Sequence, residues 1–190
     1  VENRGQWGDT SIRFALSAMG VNVGATSEGL RFQLFKREPV AQGGPTKPNK
    51  DGLARKDPHR KAGLPGDTAT SFTTKMKEFA VRLEGARAAT PVGRDKSAQL
   101  FHFRRGEPSR WRENVPSYAS IVYPGIYPGI DLVVMGRQGG LKYEFHLAPG
   151  ADPSRIRLRY EGTEGLSLNP DGSLAFQPGA GRAALADGAP

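Results

Sequence analysis

Two tandem copies of Tyr-Pro-Gly-Ile, Tyr123 to Ile126 and Tyr127 to Ile130, interrupt the most apolar stretch of the chain, Trp111 to Leu147. Each copy puts proline at the first central position of a turn and glycine at the second, the arrangement a type II turn requires. Two such turns in tandem are expected to form a rigid corner, and they exclude a helix through this region because proline removes a backbone donor and glycine raises the entropy cost. The run that follows, Ile130-Asp131-Leu132-Val133-Val134-Met135, is short, β-branched and nearly continuous in apolar character, which predicts a strand covered on both faces. After the turn signal Arg137-Gln138-Gly139-Gly140, the chain alternates strictly, with Leu141, Tyr143, Phe145 and Leu147 on one face and Lys142, Glu144 and His146 on the other. That pattern predicts a half-buried strand closing a hairpin.

The same alternation recurs elsewhere. It predicts strands over 11–16, 21–25, 30–35, 76–83 and 99–104, with 86–97 as a polar connector and 109–116 as an irregular crossing that delivers Trp111. Ile156, Leu158 and Tyr160 alternate with Arg155, Arg157 and Arg159, and Leu166, Leu168, Leu174 and Phe176 flank an Asp171-Gly172 turn as a last hairpin. The chain holds 25 glycines and 15 prolines, about a fifth of its residues against an average of about an eighth, so turns must be plentiful. The expectation is an all-β, antiparallel β-sandwich-like domain of about ten short strands over residues 1–177, with a basic Pro/Gly-rich loop at 38–72. The strands share no period, which disfavours a propeller built from this chain alone. An Ala/Gly-rich tail from 178 should fray unless it pairs, leading to a downstream region not in the sequence.

Charge is uneven. Of the net +8, the stretch 36–63 carries eight basic residues against three acidic ones, a net of +5. Its candidate polyanion contacts are Lys47, Lys50, Arg55, Lys56, Arg60 and Lys61. A solvated insertion accounts for them first, and the absence of interleaved aromatics argues against specific nucleic-acid binding. The sequence has no cysteine, which excludes disulfides and thiolate chemistry. No apolar run is long enough to span a bilayer, Val1 to Gly5 is not a signal peptide, and the lack of an initiating methionine suggests a start within a longer precursor.

Candidate chemistry is sparse. His59, His102 and His146 lack the spacing of a metal site and are expected to be solvent-facing. Asp131 and Glu144 would be a conceivable glycosidase pair, but an Asp just after a Pro-Gly turn more often caps backbone N–H groups. The Asn169 to Ser173 turn has too few oxygens for calcium. Trp7, Trp111, Tyr118, Tyr123 and Tyr127 could form a surface on which sugar rings stack, but core and turn packing accounts for them first. No cofactor, metal or catalytic residue is expected.

The stretches Glu2-Asn3-Arg4-Gly5-Gln6-Trp7, Trp111-Arg112-Glu113-Asn114-Val115-Pro116-Ser117-Tyr118, Tyr127-Pro128-Gly129-Ile130-Asp131-Leu132 and Pro149-Gly150-Ala151-Asp152-Pro153 occur in fixed order. Together they resemble the N-terminal domain of unknown function found in bacterial surface proteins with SBBP-type β-propeller repeats. Lys142-Tyr143-Glu144-Phe145 departs slightly from that pattern, and the basic loop is longer. The resemblance implies a secreted or cell-surface protein whose neighbouring domains are β-propeller or immunoglobulin-like modules. It implies no catalytic residue. Three functions stand as expectations, of which two are a non-catalytic structural or adhesive module and, from the aromatic residues, a carbohydrate-binding module using exposed Trp and Tyr. A glycoside-active enzyme is the third.

Overall fold

The computed structural model describes residues 1–18, 20–39, 72–137, 140–178 and 185–187. Nearly every ordered element is a strand: β1 (Phe14–Ala18), β2 (Val21–Thr26), β3 (Gly29–Pro39), β4 (Phe72–Leu83), β5 (Val92–Phe103), β6 (Arg112–Tyr127), β7 (Ile130–Arg137), β8 (Gly140–Leu147), β9 (Leu158–Glu161), β10 (Thr163–Leu168), β11 (Leu174–Pro178) and β12 (Leu185–Asp187). They form a five-stranded sheet in the order β1-β2-β3-β4-β9, a four-stranded sheet β5-β6-β7-β8 and a three-stranded sheet β10-β11-β12. Among the described residues no helix is long and apolar enough to cross a membrane.

The chain divides into two compact units, one of 1–35 with 76–190 and one of 36–75. In the larger unit, the two bigger sheets each give an apolar face to one core. Phe14, Val23, Ala25 and Leu30 come from the five-stranded sheet, and Tyr123, Ile126, Tyr127, Ile130, Leu132 and Val134 from the four-stranded one. Burying such side chains supplies about 1.5–3 kcal/mol each before conformational entropy is subtracted, which is why this layer dominates the fold. The third sheet adds Phe176, which stands edge-on to Phe79 at 5.3 Å, while Phe79 stacks on Phe32 at 4.5 Å. In the smaller unit, the Glu38 carboxylate is held below its ordinary range by Lys75, at 2.7 Å, and by Lys36. The span read as a basic loop, 38–72, falls wholly inside this unit, and its residues 40–71 lie outside the described ones.

The second Pro-Gly pair behaves as expected. Tyr127 pairs with Ile130 across a two-residue turn in which Gly129 has φ 73°, and the buried face pattern of β7 covers both of its sides. The first pair does not turn the chain. Tyr123 to Tyr127 is a bulge within one strand, β6, and Gly125 takes a φ of 57° to absorb the extra residues. The expected corner is therefore half a corner. Other boundaries shift: β5 begins at Val92, inside the stretch read as a connector; β6 begins at Arg112, inside the stretch read as irregular; β1 begins at Phe14; and β3 runs on to Pro39 while β4 begins at Phe72, both inside the span read as a loop. The tail from 178 also contains a strand, since Leu185–Asp187 pairs with Leu174–Phe176. Asn169 to Ser173 forms the foreseen hairpin turn, closed by Gly172 N donating to Asn169 O at 3.0 Å.

Candidate functional site

The strongest candidate surface is the loop end of the β5–β6 hairpin. Here the chain leaves β5 at Phe103, makes a 3-10 turn at Pro108–Arg110, and enters β6 at Arg112. Proline at the first position of that turn fixes its backbone, so Trp111 is delivered at a set angle. The indole Nε1 of Trp111 donates to the Gly106 carbonyl at 3.1 Å, which locks the ring while leaving the residue 39 % exposed. The Arg104 guanidinium carbon stands 5.9 Å from the ring centroid, within cation–π reach, and Arg104 also pairs with Glu113 at 2.6 Å. Trp7 is half-buried at the same end, edge-on to Phe103 at 5.7 Å. The two tryptophans thus lean on successive residues, Phe103 and Arg104, and no ring contact joins them.

Arg112 ties the N-terminal segment to this end. Its guanidinium donates to the carbonyls of Arg4 at 2.7 Å, Trp111 at 2.9 Å and Ser109 at 3.3 Å. Beside it lies a shallow groove of about 500 Å3 lined by His102, Phe103, Arg104 and Arg105. Sequence reasoning picked out Trp7 and Trp111 but missed Phe103 and the arginines around them. The signal was present, because arginine stands on both sides of Trp111 at 110 and 112.

The tyrosines do not join this surface. Tyr123 and Tyr127 are buried in the core, where the Tyr123 hydroxyl donates to Gly29 O at 3.0 Å and the Tyr127 hydroxyl to Glu84 O at 2.9 Å. A buried hydroxyl must find such a partner, and neither ring can meet a sugar. Burial drives the Tyr123 hydroxyl well above its ordinary value of 10.0. Tyr118 is half-buried and edge-on to Phe14 at 5.6 Å, with its hydroxyl 3.4 Å from Glu2. Of the five aromatic candidates, only the tryptophans reach the hairpin end.

The carboxylates serve the backbone. Asp131 accepts from Gly125 N at 2.7 Å and so holds the β6 bulge. Glu144 is half-buried and lies below the ordinary carboxylate range because Lys142, at 2.7 Å, and His146, at 3.2 Å, both favour its charged form. That is the opposite of the raised carboxyl a glycosidase acid needs. Asp9, Asp152 and Asp171 are likewise lowered, each by hydrogen bonds from the serine two residues on. His102 and His146 face solvent, and among the described residues no three acidic or histidine side chains gather as a metal site would need. His59 and the basic residues Lys47, Lys50, Arg55, Lys56, Arg60 and Lys61 lie outside the described residues.

A family model matches residues 1–187, every described strand included. The chain belongs to DUF7948, a domain of unknown function. No curated protein matches it, and no solved structure does. The DUF7948 match runs through β12, so it takes in the third sheet.

Proposed function

We propose that this domain is a non-catalytic adhesive module of a secreted or cell-surface bacterial multidomain protein, set beside β-propeller or immunoglobulin-like neighbours of the SBBP repeat type. The use of its carboxylates supports this reading: Asp131, Asp152 and Asp171 each bind a backbone N–H that fixes a turn or bulge. Such groups stiffen a scaffold. A glycan is the adhesive's target under a second reading, favoured by one observation, the exposed and hydrogen-bond-locked ring of Trp111. A fixed aromatic ring meets a sugar face without first losing rotamer freedom.

Pull-down on insoluble polysaccharides, together with affinity electrophoresis through soluble ones, tests both readings. Binding that Trp111→Ala abolishes establishes the glycan target. Hydrolysis of any of these polysaccharides by the purified chain overturns the non-catalytic reading. Failure to bind any of them leaves adhesion to the neighbouring domains, to be sought by co-purification with those domains expressed in trans.

A further inference from the structure

We propose that the Trp111 end of the hairpin takes an acidic polysaccharide, with one sugar face on the indole and the sugar's carboxylate or sulfate held by the surrounding arginines. The inference rests on the glycan reading above and assigns its ligand class. Between His102 and Glu113 the chain carries Arg104, Arg105, Arg110 and Arg112 against Glu107 and Glu113. Their partners decide how much of that charge is available. Arg104 shares its charge with Glu113. Arg112 is bound by three carbonyl groups, which orient a guanidinium without cancelling its charge. Arg105 and Arg110 are exposed, and among the described residues no carboxylate pairs with either. Trp111 therefore stands in a segment with two positive charges in excess, four arginines against two glutamates, next to a groove that Arg104 and Arg105 line.

An anionic sugar fits this arrangement better than a neutral one, because guanidinium forks bind carboxylate and sulfate oxygens through two parallel hydrogen bonds. Single-stranded nucleic acid fits it less well. Binding of that kind stacks successive bases on a series of rings along a basic groove. Here Trp111 is the one large aromatic at this end that is exposed among the described residues, so no series of rings is offered to successive bases.

The full chain would be titrated with polygalacturonate, heparin, neutral hydroxyethyl cellulose and poly(dT) at low and high salt. Parallel titrations would use Trp111→Ala, Trp111→Phe, the exposed-site double variant Arg105→Ala/Arg110→Ala, and a variant with Lys47, Lys50, Arg55, Lys56, Arg60 and Lys61 changed to Gln. The expected result is binding to polygalacturonate or heparin that falls about tenfold or more, the loss of one strong contact, in Trp111→Ala and in the arginine double variant. It persists in Trp111→Phe and in the six-residue variant. Should Trp111→Ala unfold, the double variant decides, since both of its side chains are exposed. Equal, Trp111-dependent binding to the neutral glucan overturns the acidic class while sparing the glycan reading. Acidic binding lost only in the six-residue variant moves the contact to the basic segment and overturns the proposal, as does tighter binding to poly(dT). No binding to any glycan overturns the glycan reading itself.

Discussion

Asp131 sits one residue past a Pro-Gly turn, yet the N–H it caps belongs to the preceding Pro-Gly pair, at Gly125. Asp131→Ala strands that N–H in a partly buried bulge and should cost about 1–2 kcal/mol in urea denaturation; Asp131→Asn, which keeps an accepting oxygen, should cost less. Such capping was legible in the sequence because it is local. The roles of Tyr123 and Tyr127 were not, since their partners Gly29 and Glu84 lie 94 and 43 residues away, and spacing along a chain carries no record of such contacts. The hydroxyls also set a pH dependence. Because the folded Tyr123 value is raised above 10.0, its contribution is complete below about pH 10 and is lost as pH climbs beyond it. Denaturation midpoints measured up the alkaline range should therefore fall, and Tyr123→Phe should flatten that slope. On the acid side the signs reverse. Asp9, Asp152 and Asp171 lie below 3.8 when folded, so their contribution is present above that value and fades as pH drops through the lowered ones.

Among elements, β5 is the instructive one. Its first half, Val92-Gly93-Arg94-Asp95-Lys96-Ser97, has no apolar alternation, and period-two reasoning passes over it. It is a strand because it lies at a sheet edge and pairs with β6, Val92 opposite Val122 and Lys96 opposite Tyr118. Backbone pairing, not burial, makes it. Gly93 fits this place because the Tyr118 ring covers it, and a Cβ there would come within 2.4 Å of that ring. Gly93→Ala should cost about 1–3 kcal/mol as an overpacked site, with loss of the Tyr118–Phe14 contact visible in near-ultraviolet circular dichroism. The strands that were legible, β2, β7 and β8, are those whose side chains alternate or run apolar against the core. At β10 the same alternation misleads about burial: Leu166 and Leu168 are 53 % and 73 % exposed, so Leu168→Ser should leave stability within about 0.5 kcal/mol of the parent.

For the molecule as a whole, two facing apolar layers could be foreseen from alternation, but not the allotment of strands to three sheets. The pairing of β4 with β9 joins Ala80 to Glu161, and only the closed fold brings such distant segments together. The two tryptophans report on that fold separately. In Trp7→Phe, the remaining emission from Trp111 should be red-shifted and readily quenched by acrylamide; in Trp111→Phe, the signal from half-buried Trp7 should be better protected. The length of β6 has a mechanical consequence. Its 16 residues span about 50 Å at the usual rise of a strand, from the core at Tyr127 to the exposed end beside Trp111. A pull on that end along the strand loads the hydrogen bonds to β5 and β7 in shear, so many of them must fail together. A tether anchored at Trp111 would thus resist tension as a lap joint does, whereas one anchored at the short β10 edge would peel bond by bond.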